Sequence, residues 1–196
     1  MIKFEYKKQI LKHFYQEPQF GENWFTYPKL YSDMVKEFPS GSRFVEVGAW
    51  KGKSAAYMSV EIINAKKDIE FYVVDTWEGS SEHKDNPELQ ELFHIFTENM
   101  KPVDNYYIPM RMTSLEAATK FEDASLDFVF IDASHEYEHV KEDLNAWYPK
   151  IKSGGILAGH DFYPDQPNWG GVHRAVTEVF GTNYTHIDGD CYLIRK

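Results

Sequence analysis

Apolar positions change their period along this chain, and the change divides it. In the first 40 residues the spacing is helical: Ile10, Leu11 and Phe14 fall on one helical face, and Leu30, Tyr31, Met34, Val35 and Phe38 on a second. Between them runs Gly21-Glu22-Asn23-Trp24-Phe25-Thr26-Tyr27-Pro28, an aromatic loop, and Pro39-Ser40-Gly41 closes the segment with breaker residues. From Arg43 short apolar runs alternate with amphipathic stretches. Strands are predicted over 44–47, 70–74, 106–110, 126–131 and 156–158, and helices over 52–65, 89–100, 115–121, 137–148 and 172–180. Gly154-Gly155 is predicted to break the helix at 137–148, ahead of the strand at Ile156. Two last runs, 183–187 and 191–194, flank the hairpin turn Asp188-Gly189-Asp190.

Strands that alternate with helices imply an α/β fold with a mostly parallel seven-stranded sheet, helices on both faces, and a closing antiparallel hairpin. Residues 1–41 form an N-terminal helical cap, and 42–196 the main domain, in one structural unit. In such sheets ligands bind beyond the carboxyl ends of the strands, where the strand order reverses, so the residues just after each strand are the ones that carry chemistry.

Composition narrows the function classes. The 196 residues suit one domain with a sizeable core. With 31 acidic and 21 basic residues the net charge is −10, and no basic stripe appears; nucleic acid and anionic membrane surfaces are not expected partners. Cys191 is the only cysteine, so no internal disulfide forms. Residues 1–15 lack a signal-peptide pattern and no 18-residue apolar run exists, which makes the cytoplasm the expected compartment. The oligomeric state leaves no trace in the sequence.

After the first strand comes Glu46-Val47-Gly48-Ala49-Trp50-Lys51-Gly52-Lys53-Ser54. Two glycines four apart at a strand-to-helix turn permit a tight turn and a close approach of backbone to ligand. This is not G-x-G-x-x-G, and Glu46 would repel a pyrophosphate, which disfavours a nicotinamide dehydrogenase. A carboxylate there suits a cation, such as the ammonium and sulfonium of S-adenosylmethionine. Asp75 ends the second strand, 23 residues beyond Gly52, where an acid accepts hydrogen bonds from both hydroxyls of an adenosine ribose.

Glu46-x-Gly48-x-x-x-Gly52 with Asp75 resembles the class I S-adenosylmethionine-dependent methyltransferases, whose fold is Rossmann-like, over about residues 42–196. The resemblance implies that Glu46, Gly48, Gly52, Ser54 and Asp75 bind the cofactor, that Ser114 after the third strand meets the adenine, and that Asp132 at the end of the fourth lies beside the sulfonium.

The richest segment is Asp127-Phe128-Val129-Phe130-Ile131-Asp132-Ala133-Ser134-His135, and the next strand ends in His160-Asp161. Adjacent strand ends place Asp132, His160 and Asp161 within reach of one divalent ion, magnesium or manganese by their oxygen-rich chemistry. The spacing of 28 and 29 residues from Asp132 resembles the metal-dependent small-molecule O-methyltransferase branch, of bacterial and phage type. His160 departs from it, standing where that branch more often has a carboxylate or amide. It is either an ion ligand or a hydrogen-bonded loop histidine. The resemblance implies transfer of a methyl group to a small-molecule hydroxyl, of sugar or phenol type, with His135 and Asp132 in the catalytic machinery and His135 removing the proton.

His135-Glu136-Tyr137-Glu138-His139 also matches H-E-x-x-H, the zinc hydrolase pattern, which needs both histidines in one helix. Here a strand ends four residues before His135, and Ser134 is a candidate helix cap that leaves His135 outside. The alternatives to a methyltransferase are therefore a non-catalytic cofactor-binding module and, less favoured, a zinc hydrolase. Tyr163 to Gly171 is a candidate acceptor wall or lid, the polar loop Trp77 to Asn86 lies near the ribose position, and His173 and Arg174 are candidates for an anionic acceptor.

Overall fold

The computed structural model describes residues 10–80, 84–164, 170–187 and 190–196. Helices α1 (Pro28–Glu37), α2 (Lys53–Ala65), α3 (Leu92–Met100), α4 (Ser114–Ala118), α5 (Tyr137–Trp147) and α6 (Gly171–Phe180) surround strands β1 (Arg43–Val47), β2 (Glu70–Asp75), β3 (Ile108–Arg111), β4 (Leu126–Ile131), β5 (Ile151–Gly159), β6 (Thr185–Ile187) and β7 (Cys191–Arg195). The strand order is β3-β2-β1-β4-β5-β7-β6. β3, β2, β1, β4 and β5 run parallel to one another, and β7 runs antiparallel to both β5 and β6. The order reverses between β1 and β4, which fixes where a ligand cleft must open.

Alternation along the strands builds two cores. Phe44, Phe71, Val73, Phe128, Phe130, Ile156 and Ala158 point to the face covered by α1, α2 and α3. Val45, Val47, Val74, Val129, Ile131 and Leu157 point to the other, against α4, α5 and α6. In α5, Val140, Leu144 and Trp147 fall at helical spacing and are buried, as the sequence predicts.

Two predicted features come out differently. Ile10, Leu11 and Phe14 do not form a helix: the chain there has no regular structure, and the Asn64 side chain bonds both Leu11 N–H and Leu11 C=O. That tether replaces helical pairing of the backbone. Gly154-Gly155 does not end the helix either: α5 stops at Trp147, and β5 already begins at Ile151. β5 runs through it, with a register shift against β4 between Leu126 and Phe128 and Gly154 at φ +81°. Asp188-Gly189 of the predicted turn and residues 165–169 of the predicted acceptor wall lie outside the described residues, as do 81–83 of the polar loop.

One close approach ties the β1 turn to the end of β4. Asp132 N–H donates to Val47 C=O at 2.7 Å, and a Cβ on Gly48 would sit 1.9 Å from Asp132 C=O. Gly48 also holds φ +92°. Gly48→Ala therefore combines overpacking against backbone with left-handed strain, a loss of roughly 2–5 kcal/mol. Gly41, at φ +87° with nothing near its missing Cβ, isolates the strain alone, so Gly41→Ala should cost only about 1–2 kcal/mol. Thermal melts of the two variants check this, and equal losses would refute the steric account.

Candidate active site

A cleft of about 970 Å³ opens along the carboxyl edge of the sheet. One half is walled by the β1 turn, Val74, Asp75, Thr76, Met112 to Leu115, and Glu142 and Asp143 of α5. The other half is walled by the segment ahead of α1, from Glu22 to Tyr27, with Lys53, His160, Asp161 and Tyr163. Asp132 to Glu136 lie between them in chain topology, at the end of β4.

The predicted cofactor residues gather in the first half, each with a distinct attachment. Asp75 Oδ2 accepts from Ala49 N–H and Trp50 N–H at 2.8 and 2.9 Å, and Oδ1 accepts from Trp77 N–H at 2.7 Å. The carboxylate thus shapes the glycine turn before any ligand arrives. Oδ1, holding one bond, retains a lone pair for a ribose hydroxyl. Gly48 and Gly52 hold left-handed conformations on either side of Trp50, and Gly52 caps the start of α2. Ser114 lines the cleft, but its hydroxyl donates to Asp143 and accepts from Trp147 Nε1–H at 2.9 Å. Burial pushes the Asp143 carboxyl up to about 6, although the Ser114 bond opposes the shift.

Glu46 lies deeper than the sequence suggests. It is fully buried, is not part of the cleft wall, and reaches it only through Ser54, whose hydroxyl donates to Oε1. Among the described residues Oε2 has no hydrogen-bond partner. Burial pushes the Glu46 carboxyl up to about 8 against the opposing Ser54 bond, and the charges of Asp132 and Asp75 add to the rise.

The ends of β4 and β5 bring Asp132, His135, His160 and Asp161 together. His135 Nε2 lies 2.8 Å from Asp161 Oδ2, and His160 Nδ1 lies 3.2 Å from the same oxygen and 3.5 Å from Asp132 Oδ1. Asp161 holds a left-handed backbone conformation, φ 55°, that turns its carboxyl into this group. Burial alone would raise the Asp161 carboxyl, but the two imidazoles outweigh it and hold the group below the usual carboxylate range. Burial would lower His160, but hydrogen bonds and charge from Asp132 and Asp161 push it up to about 10. Donor atoms of Asp132, His135 and Asp161 lie within 4.8 Å of one another, the arrangement among the described residues that could share an ion. The set expected from sequence had His160 in place of His135.

The H-E-x-x-H pattern is split. α5 starts at Tyr137 with Glu136 as its N-cap, so His135 precedes the helix. Ser134 does not cap it; its hydroxyl accepts from Glu136 N–H at 3.3 Å and meets His139 Nδ1 at 3.1 Å. His173 and Arg174 stay off the cleft wall, with the Arg174 guanidinium 3.8 Å from the Tyr137 ring centroid. Sequence patterns missed Thr26 and Tyr27. Their loop is visible as aromatic, but no spacing rule carries residue 27 to residue 132.

Residues 45–162, more than half of the chain, match a protein family described as a methyltransferase domain. The chain belongs to that methyltransferase family. The methyltransferase is of class I, and its cofactor is S-adenosylmethionine. The fold is similar to those of solved structures that share little sequence. CalS11, a TDP-rhamnose 3'-O-methyltransferase of calicheamicin biosynthesis, is 15% identical with a TM-score of 0.60, over 86% of this chain and 76% of that one. The O-methyltransferase NovP is 17% identical, TM-score 0.59, over 86% and 78%. The S-adenosylhomocysteine-bound methyltransferase PaMTH1 of Podospora anserina is 14% identical, TM-score 0.61, over 86% and 76%. No curated protein sequence matches. Among the described residues no helix is long and apolar enough to cross a membrane.

The buried acid makes a pH prediction. Glu46 is raised from 4.5 to about 8 in the fold, so the fold favours its protonated form. Its stabilising share is complete below the unfolded value and is lost as pH rises through about 8. Glu46→Gln keeps the acceptor for Ser54 and removes the titration. Melts of the two proteins from pH 5 to 9 should show the wild type losing ground to the variant with rising pH; parallel curves would count against a raised Glu46.

Proposed function

We propose that this methyltransferase moves the methyl group to a hydroxyl oxygen of a small molecule, of sugar or phenol type, with help from a divalent ion. What carries this reading is the group Asp132, His135, His160 and Asp161 at the ends of β4 and β5, beside the glycine turn. Two carboxylates and an imidazole suit magnesium or manganese in donor chemistry. The names of CalS11 and NovP, both O-methyltransferases, lend support. Glu46, through Ser54, and Gly48, Gly52, Asp75 and Ser114 form the cofactor half.

When bound, S-adenosylmethionine supplies an electrophilic methyl group and the ion supplies Lewis acidity. Asp132 and Asp161 would hold the ion, with His160 facing both carboxylates. His135, its Nε2 2.8 Å from Asp161 Oδ2, is the imidazole that would take the hydroxyl proton. The walls of the cleft bring donor and acceptor into near-attack geometry, the larger part of the acceleration. A second reading makes His135 the ion's nitrogen ligand, favoured by its place in the compact three-residue group.

Two experiments test this. With S-adenosylhomocysteine release measured over a panel of sugar and phenolic hydroxyls, EDTA should depress the rate about 10²-fold and manganese restore it. Asp161→Ala should abolish the manganese response while leaving S-adenosylhomocysteine affinity near wild type. Full activity in EDTA would remove the ion from the mechanism and leave the methyltransferase intact. In the second experiment, His135→Ala should lower turnover by about 10²–10⁴-fold, the usual cost of a lost base, whereas His139→Ala should do little. If His135→Ala also loses manganese binding, His135 is a ligand and not the base. Equal damage from both variants would contradict the split of the histidine motif.

A further inference from the structure

Two consecutive side chains ahead of α1 reach the reacting group. Tyr27 O–H donates to Asp132 Oδ2 at 2.7 Å, across 105 positions of sequence. Thr26 Oγ1 lies 3.0 Å from His160 Nε2, across 134 positions. We propose that Thr26 and Tyr27 are positioning residues for methyl transfer, locking the His160 imidazole and the Asp132 carboxylate in the orientations the reaction uses. This rests on the chemistry proposed for that group.

Each contact removes a rotational choice. A carboxylate presents two equivalent oxygens; with Oδ2 held by Tyr27, Oδ1 is the one turned toward His160 Nδ1, at 3.5 Å. An imidazole can flip about its ring axis; with Nε2 at Thr26, Nδ1 is the nitrogen that faces Asp161 and Asp132. Partners of this kind, one step removed from an ion or a proton acceptor, set ring orientation and tautomer.

The segment is built to hold still. The Tyr27 ring is 2% exposed and packs on Phe130 and His160 at 4.4 and 4.9 Å between centroids. Downstream, Pro28 opens α1, whose Leu30, Tyr31, Met34 and Val35 are buried. Upstream, Lys53 Nζ clasps Gly21 C=O and Glu22 C=O at 3.2 and 2.7 Å. Thr26 and Tyr27 therefore lie between two anchors.

Conservative variants separate positioning from packing. Tyr27→Phe keeps the ring and drops the hydroxyl, Thr26→Val keeps the shape and drops the hydroxyl, and Thr26→Ser restores it. Manganese binding to the S-adenosylhomocysteine-loaded protein, followed by electron paramagnetic resonance, should weaken about 10–100-fold in Tyr27→Phe and Thr26→Val and recover in Thr26→Ser. S-adenosylhomocysteine affinity should stay at the wild-type value in all three. Lys29→Ala, which breaks an exposed pair with Asp33 on the same helix, should match wild type throughout. If the wild type binds no manganese, the ion assigned above fails separately, and the imidazole decides. Long-range ¹H–¹⁵N spectra should then show the His160 pattern altered in Thr26→Val and restored in Thr26→Ser. Unchanged manganese affinity in Tyr27→Phe, or in its absence an unchanged His160 pattern in Thr26→Val, overturns the proposal even if melting temperatures fall.

Discussion

Most of what this protein does depends on how closely two turns approach. The backbone of Gly48 lies against the backbone of Asp132, nearer than any side chain would permit. Because β1 and β4 are neighbours at the reversal of strand order, that contact joins the turn that shapes the cofactor half to the loop that carries the reacting group. Asp75 then secures the turn from the other side by accepting two of its N–H groups. Methyl transfer needs two molecules in register, and this pair of backbone constraints sets the distance between their two halves.

The electrostatics follow the same geometry. The cleft wall gathers Asp75, Asp132, Glu142 and Asp143, and Glu46 lies buried beneath. Desolvation makes charge costly on the two buried ones, Glu46 and Asp143, and raises both carboxyls. At the ends of β4 and β5 the sign reverses, because imidazoles stand beside Asp161 and hold it ionised. Burial thus raises Asp143 in the cleft wall and Glu46 beneath it, while Asp161 is kept charged by its partners.

Much of this was legible in the sequence. The strand-helix alternation, the Gly48/Gly52 turn, Asp75 and the pair His160-Asp161 all sit at strand ends, where periodicity and topology together identify chemistry. Legibility failed where the deciding contact was long-range. Ile10, Leu11 and Phe14 share a helical face on paper, yet Asn64 satisfies the Leu11 backbone instead. Gly154-Gly155 looks like a breaker, but the Lys196 backbone bonds both Gly154 N–H and Gly155 C=O across the irregularity, and β4 and β7 resume pairing at Ile156. Glu46 carries the right charge for a cation, but nothing local reveals that Ser54 stands between it and the cleft wall. Thr26 and Tyr27 were visible only as part of an aromatic loop.

The two halves of the cleft differ in the length of chain each must close. Asp75 meets the glycine turn across 25 to 26 residues, whereas Tyr27 meets Asp132 across 105. By loop-closure entropy alone the longer contact costs about 1 kcal/mol more to form. During synthesis the asymmetry is sharper still. The turn and its acid leave the ribosome almost together, but Thr26 emerges long before His160 exists to receive it. The first-made part of the proposed active site therefore waits on partners made 105 and 134 residues later.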